Sequence, residues 1–463
     1  MPEPQRLLWA PRAWLPQGWA DSVLLAIGAD GRWAQVTPGV AQAPTDAERV
    51  AGPLLPGLVN AHSHAFQRAF AGLAERRESE NDDFWSWRDR MYCVALRITP
   101  TQLRAIAAQL HLELLLGGYT QVCEFHYLQH ERDGTPYADP CTLAWSIADA
   151  AADAGIGLTL MPALYERAGF TQPRLRPDQC RFATTPESVL AQANAIAASG
   201  RPLVRAGLVV HSLRAAAPAS IHRLHRQAEG FGGPIHVHVA EQTAEVDDCF
   251  AATGARPIEW LAREGLLDAR WQLVHATHTV PQEIDAVAAS GAGVVICPTT
   301  EANLGDGLPD LAGWLAGGVP LTIGSDSHVT RDWREELRWL DYGQRLAHRQ
   351  RNVGAAPGMQ PSTAARLWQR VQSGSAAAAG EAAWGLMPGA RADALLPDAA
   401  DPTLLGVPPS HVLDALVFSS PGRPWSGVMV AGRWVVRDGT HPRMHSIAQA
   451  FEEAMAALWA AAD

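Results

Sequence analysis

Across the middle of this 463-residue chain, apolar strand-like runs alternate with longer stretches of helical period. The runs lie at 54–59, 120–125, 157–164, 207–210, 235–239, 271–274, 293–297 and 319–323, eight in all. Helical patterns such as 101–116, 186–198 and 281–289 separate them. Eight strand-then-helix units imply an α/β fold, a closed parallel (β/α)8 barrel of the TIM type. Such barrels carry their active sites at the C-terminal ends of the strands.

The chain changes texture at both ends. Leu7-Leu-Trp, Ser22-Val-Leu-Leu-Ala-Ile and Gly31-Arg-Trp-Ala-Gln-Val read as short antiparallel strands near the start. Ala392-Asp-Ala-Leu-Leu, Leu413-Asp-Ala-Leu-Val-Phe and the hairpin-like 426–439 read as strands near the end. We expect both terminal segments to build one small β-sandwich from residues 1–53 and 386–440. The barrel then occupies 54–385, and an Ala-rich helix closes the chain over 441–463.

Several strand-like runs end in a metal-binding or proton-moving side chain. In Pro56-Gly-Leu-Val-Asn-Ala-His62-Ser-His64, the imidazoles are two positions apart, so an extended strand points both to one side. His236 and His238 share a face in the same way. His238 is the better third ligand, because Glu241 follows it by three and would stand near a metal-bound water. His236 is then expected deeper, hydrogen-bonded in the core. Asp326, in Gly-Ser-Asp-Ser-His, is the natural fourth ligand and a possible base for the water. His275 can reach the substrate or act as a weak ligand. His278 reads as a polar loop residue, and His328 as a supporting or solvated group. Three imidazoles and a carboxylate suit one Zn²⁺, with Fe²⁺ or another divalent cation possible. A cation so held turns water into a strong nucleophile near neutral pH, which points to a metal-dependent hydrolase.

Composition narrows the alternatives. A net charge of −11 argues against a nucleic-acid partner. No apolar run reaches membrane-spanning length, and the N-terminus lacks a basic-then-apolar leader, so a cytoplasmic protein without a membrane partner is expected. Cys93, Cys123, Cys141, Cys180, Cys249 and Cys297 form no Cys-x-x-Cys pair, and free thiols are expected. All 37 basic residues are arginine. Schiff-base chemistry and a P-loop lysine are therefore excluded.

These motifs and their order resemble the amidohydrolase superfamily, in its mononuclear deaminase branch. A carboxylated lysine bridging two metals, used by other hydrolases of this type, cannot exist here. The resemblance makes His62, His64, His238 and Asp326 the ligands, Glu241 a proton shuttle and His275 a stabiliser of the reacting centre. Within the branch the chain is most similar to the formimidoylglutamate deiminases of histidine degradation. That similarity rests on His64-Ala-Phe-Gln-Arg, Phe84-Trp-Ser-Trp-Arg-Asp-Arg-Met-Tyr, Glu124-Phe-His-Tyr, His211-Ser-Leu-Arg-Ala and Pro298-Thr-Thr-Glu-Ala-Asn-Leu. It implies that Gln67, Arg88, Tyr127, His211 and Arg214 hold a small dicarboxylate, and that the protein is a homodimer.

Guanidinium forks match carboxylates, so two arginines over the barrel mouth suit a dicarboxylate. For Arg88 and Arg90 the other reading is surface pairing with Asp82, Asp83 or Asp89. Trp85 and Trp87 read as packing. The rival function is a guanine, cytosine or triazine deaminase of the same superfamily, which would favour stacking residues and amide readers over two arginines.

Overall fold

The structure is a computed structural model that describes residues 6–76, 84–420, 422 and 424–460. Eight parallel strands form the barrel: β1 (Leu58–Ser63), β2 (Tyr119–His126), β3 (Gly157–Leu164), β4 (Leu208–Ser212), β5 (Ile235–Val239), β6 (Trp271–His275), β7 (Gly293–Ile296) and β8 (Leu321–Ile323). They pair in that order, and an added strand, Val204–Ala206, pairs with β3. Every residue of β2, β3, β5 and β6 is buried. That burial on both faces lets apolar residues fill most positions of a strand such as β3, while the buried polar ones in β2 and β5 must find partners inside.

The ring closes between β8 and β1. Asp326 N–H donates to His62 O at 3.0 Å, and Ser63 bridges Asp326 in parallel register. The backbones meet so closely that a Cβ on Gly324 would lie 2.6 Å from the His62 Cβ. Only glycine fits there, and its small size brings Asp326 beside His62. Helices between strands begin with strong local signals. Thr99 caps Pro100–Leu116 through a capping box with Gln102, with Pro100 in the first turn.

The terminal segments make two four-stranded sheets. One has the order Trp33–Thr37, Gly18–Ile27, Arg6–Leu15, Glu48–Arg49. The other has the order Arg433–Arg437, Trp425–Val430, Ala394–Pro397, Leu55–Pro56. Leu8, Val23, Leu25 and Trp33 of the first pack with Ala394 and Met429 of the second, and with Ala392 beside it, in one core. One expectation fails here: Leu413 to Phe418 is not a strand but lies in the helix Val412–Phe418. Its buried Leu413, Leu416 and Val417 recur at helical spacing, and so short an apolar run fits either period. The last helix is Met444–Ala460.

Candidate metal centre and active site

The ends of β1, β5, β6 and β8 bring His62, His64, His238, His275 and Asp326 into one buried cluster. His62 Nε2 lies 3.0 Å from His238 Nε2 and 3.3 Å from Asp326 Oδ1. His64 Nε2 lies 3.4 Å from the same Asp326 oxygen. The backbone is left-handed at His275 (φ 71°) and Asp326 (φ 44°), so both strand ends are bent out of extended geometry. Such strain in non-glycine residues is held only where the surroundings fix it.

Burial pushes His62 and His238 well below the usual imidazole range, and His64 down to about 3. They are neutral imidazoles. His64 Nδ1 lies 3.0 Å from Phe125 O, a contact that needs a hydrogen on Nδ1 and leaves a lone pair on Nε2. That lone pair faces a carboxylate oxygen, and two acceptors in contact call for a cation between them. The donor set therefore fits a divalent ion. Ligand atoms of His62, His64 and Asp326 lie within 4.8 Å of one another, as do those of His62, His238 and His275.

The surroundings are built from remote segments. Glu124 accepts from Ser63 Oγ (2.8 Å) and from Ala65 N–H (2.7 Å), which fixes the turn carrying His64. Asn60 and Ser325 exchange two hydrogen bonds across the closure, at 2.7 and 2.8 Å. His328 is buried, not solvated: its ring nitrogens contact Ser325 Oγ and His64 O, each at 3.0 Å. His236 meets Ala378 O at 3.0 Å in the core, and His278 meets Asp306 O at 2.9 Å in its loop.

A pocket opens over the cluster. His64, His238, Glu241, His275 and Asp326 line it together with Gln67, Arg88, Tyr127, His211 and Arg214. Gln67 Nε2 donates to the Tyr127 hydroxyl at 3.0 Å. Arg214 Nη2 donates to Glu241 Oε2 at 3.1 Å, and Glu241 Oε1 lies 3.7 Å from His275 Nε2. Against its own burial, His275 is raised to about 10 by the carboxylates of Glu241, Glu301 and Asp326. Glu301 Oε1 stands 3.4 Å from His275 Nδ1. Trp87 lines the pocket as well as packing 5.4 Å from Phe70. Asp82, Asp83 and the side chains of Trp85 and Asp89 lie outside the described residues.

Sequence reasoning did not single out Glu301, Tyr92 or Tyr165. Tyr165 directly follows β3, so the strand-end rule that found His275 would have found it. Cys297, expected only to be a free thiol, puts its sulfur within 4.8 Å of ligand atoms of His275 and Asp326. The six cysteines are free. No helix among the described residues is long and apolar enough to cross a membrane.

A barrel whose strand ends gather histidines and an aspartate is the architecture of metal-dependent hydrolases, and the chain belongs to the amidohydrolase family, whose model matches residues 54–435. Residues 5–50 match the N-terminal domain of formimidoylglutamate deiminase HutF. The chain is 46% identical to the formimidoylglutamate deiminase of Pseudomonas aeruginosa, over 97% of this chain and 99% of that one. It is 29% identical to a 5-methylthioadenosine/S-adenosylhomocysteine deaminase of Natronomonas pharaonis, over 83% of this chain and 81% of that one. A solved amidohydrolase from Brucella melitensis superposes with a TM-score of 0.92 at 40% identity, covering 98% of this chain and 100% of that one.

Proposed function

We propose that this protein hydrolyses N-formimidoyl-L-glutamate to N-formyl-L-glutamate and ammonia, a step of histidine degradation, with one Zn²⁺ as its cation. One observation carries the reading beyond the family likeness. Arg88 and Arg214 line the same pocket as the histidine–aspartate cluster, so an acidic substrate can be held while its amidine carbon lies over the metal centre. His62, His64, His238 and Asp326 would hold the cation, and three nitrogens with one carboxylate suit zinc.

A divalent ion in that position supplies Lewis-acid activation of water and of the reacting carbon. The side chains supply the rest. Glu241 lies between Arg214 and His275, where it can accept a proton from the attacking water and pass it to the departing nitrogen. His275 is kept oriented by Glu301 and presents Nε2 toward Asp326 Oδ2, 3.9 Å away. From there it can stabilise charge that develops on the oxygen and nitrogen bonded to the tetrahedral carbon. Arg214 touches both Glu241 and the pocket, so the clamp and the proton carrier share one buried group. Gln67, Tyr127 and His211 complete the wall that orients the substrate.

The deciding experiment is ammonia release by the purified, zinc-loaded protein. Formimidoylglutamate should be turned over and guanine should not; the reverse preference would overturn the reading. Arg214→Ala should raise KM for the dicarboxylate by about tenfold or more, the scale of a lost hydrogen bond to a charged group, with zinc content unchanged.

A further inference from the structure

The seam between β8 and β1 is unlike the others in the barrel. Every other pair of neighbouring barrel strands is joined by a ladder of paired residues. Among the described residues, β8 and β1 share only the bridge between Ser63 and Asp326. The metal-ligand candidates divide across this seam. His62 lies on β1 and His64 just beyond it, whereas Asp326 follows β8. Ladder hydrogen bonds, which set spacing elsewhere in the sheet, therefore do not set the spacing between His64 and Asp326.

Side chains do that work on both sides of the seam. Inside it, Asn60 and Ser325 exchange their two hydrogen bonds. Outside it, one carboxylate meets both segments that leave the seam. Glu113, buried on the helix Pro100–Leu116, accepts from Arg68 Nε at 2.8 Å and from Arg68 Nη2 at 2.9 Å. Arg331 Nε lies 3.1 Å from Glu113 Oε2. Arg68 belongs to the turn Ala65–Ala69, directly after His64. Arg331 lies in the loop that follows Asp326, and its Nη1 donates to His328 O at 2.7 Å. His328 in turn meets His64 O at 3.0 Å. Two paths thus join the Asp326 loop to the His64 turn: one through His328, the other through Glu113 and its two guanidinium groups.

The second path is built to fix a distance. A guanidinium fork on a carboxylate has a set direction and length, unlike a bare attraction between charges. Gln109 Nε2 donates to Glu113 Oε1 at 3.0 Å from the same helix and orients the carboxylate. Phe451 of the last helix backs Arg68, its ring centre 4.9 Å from the guanidinium carbon. We propose that Glu113 is a positioning residue for the metal centre: through Arg68 and Arg331 it holds the His64 turn and the Asp326 loop at the separation a cation needs. It is absent from the residues that line the pocket. The proposal rests on the ligand assignment made above and not on the identity of the substrate.

Cobalt titration of the metal-free protein is the test. In Glu113→Gln the dissociation constant for Co²⁺ should rise by about 10–100-fold, the scale of losing a group that orients metal ligands. A bound ion itself draws the ligands together, so kcat at saturating metal should stay near wild type. Arg331→Ala leaves the Arg68 pair in place and should show the same split to a smaller degree. It carries the test if Glu113→Gln does not fold. A lower melting temperature with unchanged cobalt affinity, or a loss of kcat with unchanged affinity, would overturn the proposal. Hydrogen exchange of the metal-free protein separates the clasp from the ligand assignment. If wild type binds no cobalt, the assignment falls. Faster amide exchange over Ala65–Ala69 and 325–331 in the variant would then still support the clasp, and unchanged exchange would end it.

Discussion

At its N-terminal end the barrel buries a guanidinium. Arg391 comes from the sandwich side and donates to Asp393 at 2.9 and 2.6 Å, to Gln121 Oε1 at 2.6 Å and to Thr120 O at 3.0 Å. Asp393 also accepts the Ala431 N–H at 2.9 Å. At its C-terminal end the barrel buries neutral imidazoles whose Nε2 atoms face one another and a carboxylate. Burial is equally deep at the two ends, but at the base every nitrogen of Arg391 meets an acceptor, whereas at the mouth the His64 lone pair meets a carboxylate oxygen. The base is complete as protein. The mouth is complete only with a cation, and that incompleteness marks it as the site.

The comparison can be broken by asking which end controls which property. The largest effect is expected at the mouth. Glu241→Gln should lower kcat by about 10²–10⁴-fold, the range of general acid–base catalysis. Its zinc content and melting temperature should stay near wild type, as read by metal analysis and calorimetry. Near-normal turnover would remove Glu241 from the proton path. At the base the roles reverse. Asp393→Ala leaves the Arg391 guanidinium buried without its carboxylate, and breaking such a pair costs about 3–5 kcal/mol. Denaturant titration should show that loss, with kcat per folded molecule retained. A variant that kept its stability but lost turnover would erase the distinction between the two ends.

The barrel was legible in the sequence because its strands are buried on both faces. Each therefore appears as an apolar-rich run of strand length, and all eight runs became strands. The histidine–aspartate cluster was legible for a related reason: parallel strands end at one rim, so strand-end polar residues converge whatever their separation in sequence. Two kinds of feature escaped. The helix Val412–Phe418 is a seven-residue apolar segment, too short for its period to decide. Partners such as Asn60 with Ser325, Glu301 with His275, and Gln179 with Tyr92 join segments far apart in the chain. Their side chains carry no pattern of their own, and only the closed ring sets them face to face. Arg214 shows the limit within the site itself. Its position near an acidic substrate could be inferred, but not its ion pair with Glu241.

The smallest effect sharpens the comparison by removing a false likeness. His111 lies in the helix Pro100–Leu116, buried like the mouth histidines and likewise neutral, but no metal-ligand group among the described residues includes it. Burial, only partly opposed by a hydrogen bond to the Ala150 backbone, pushes it down to about 4. In the unfolded chain an imidazole titrates near 6.5. As pH falls below that value, the unfolded chain takes up a proton that the folded protein refuses until about pH 4. Stability contributed by the neutral ring is thus present above pH 6.5 and is lost on acidification, at up to about 1.4 kcal/mol per pH unit for one proton. His111→Leu fills a similar volume without a titrating group. Denaturation midpoints measured from pH 7 to pH 4.5 should fall less steeply in the variant than in wild type. Turnover at neutral pH should be unchanged, because depressed basicity here serves packing and not coordination. An equal slope in both proteins would show that His111 finds a way to be protonated in the folded state.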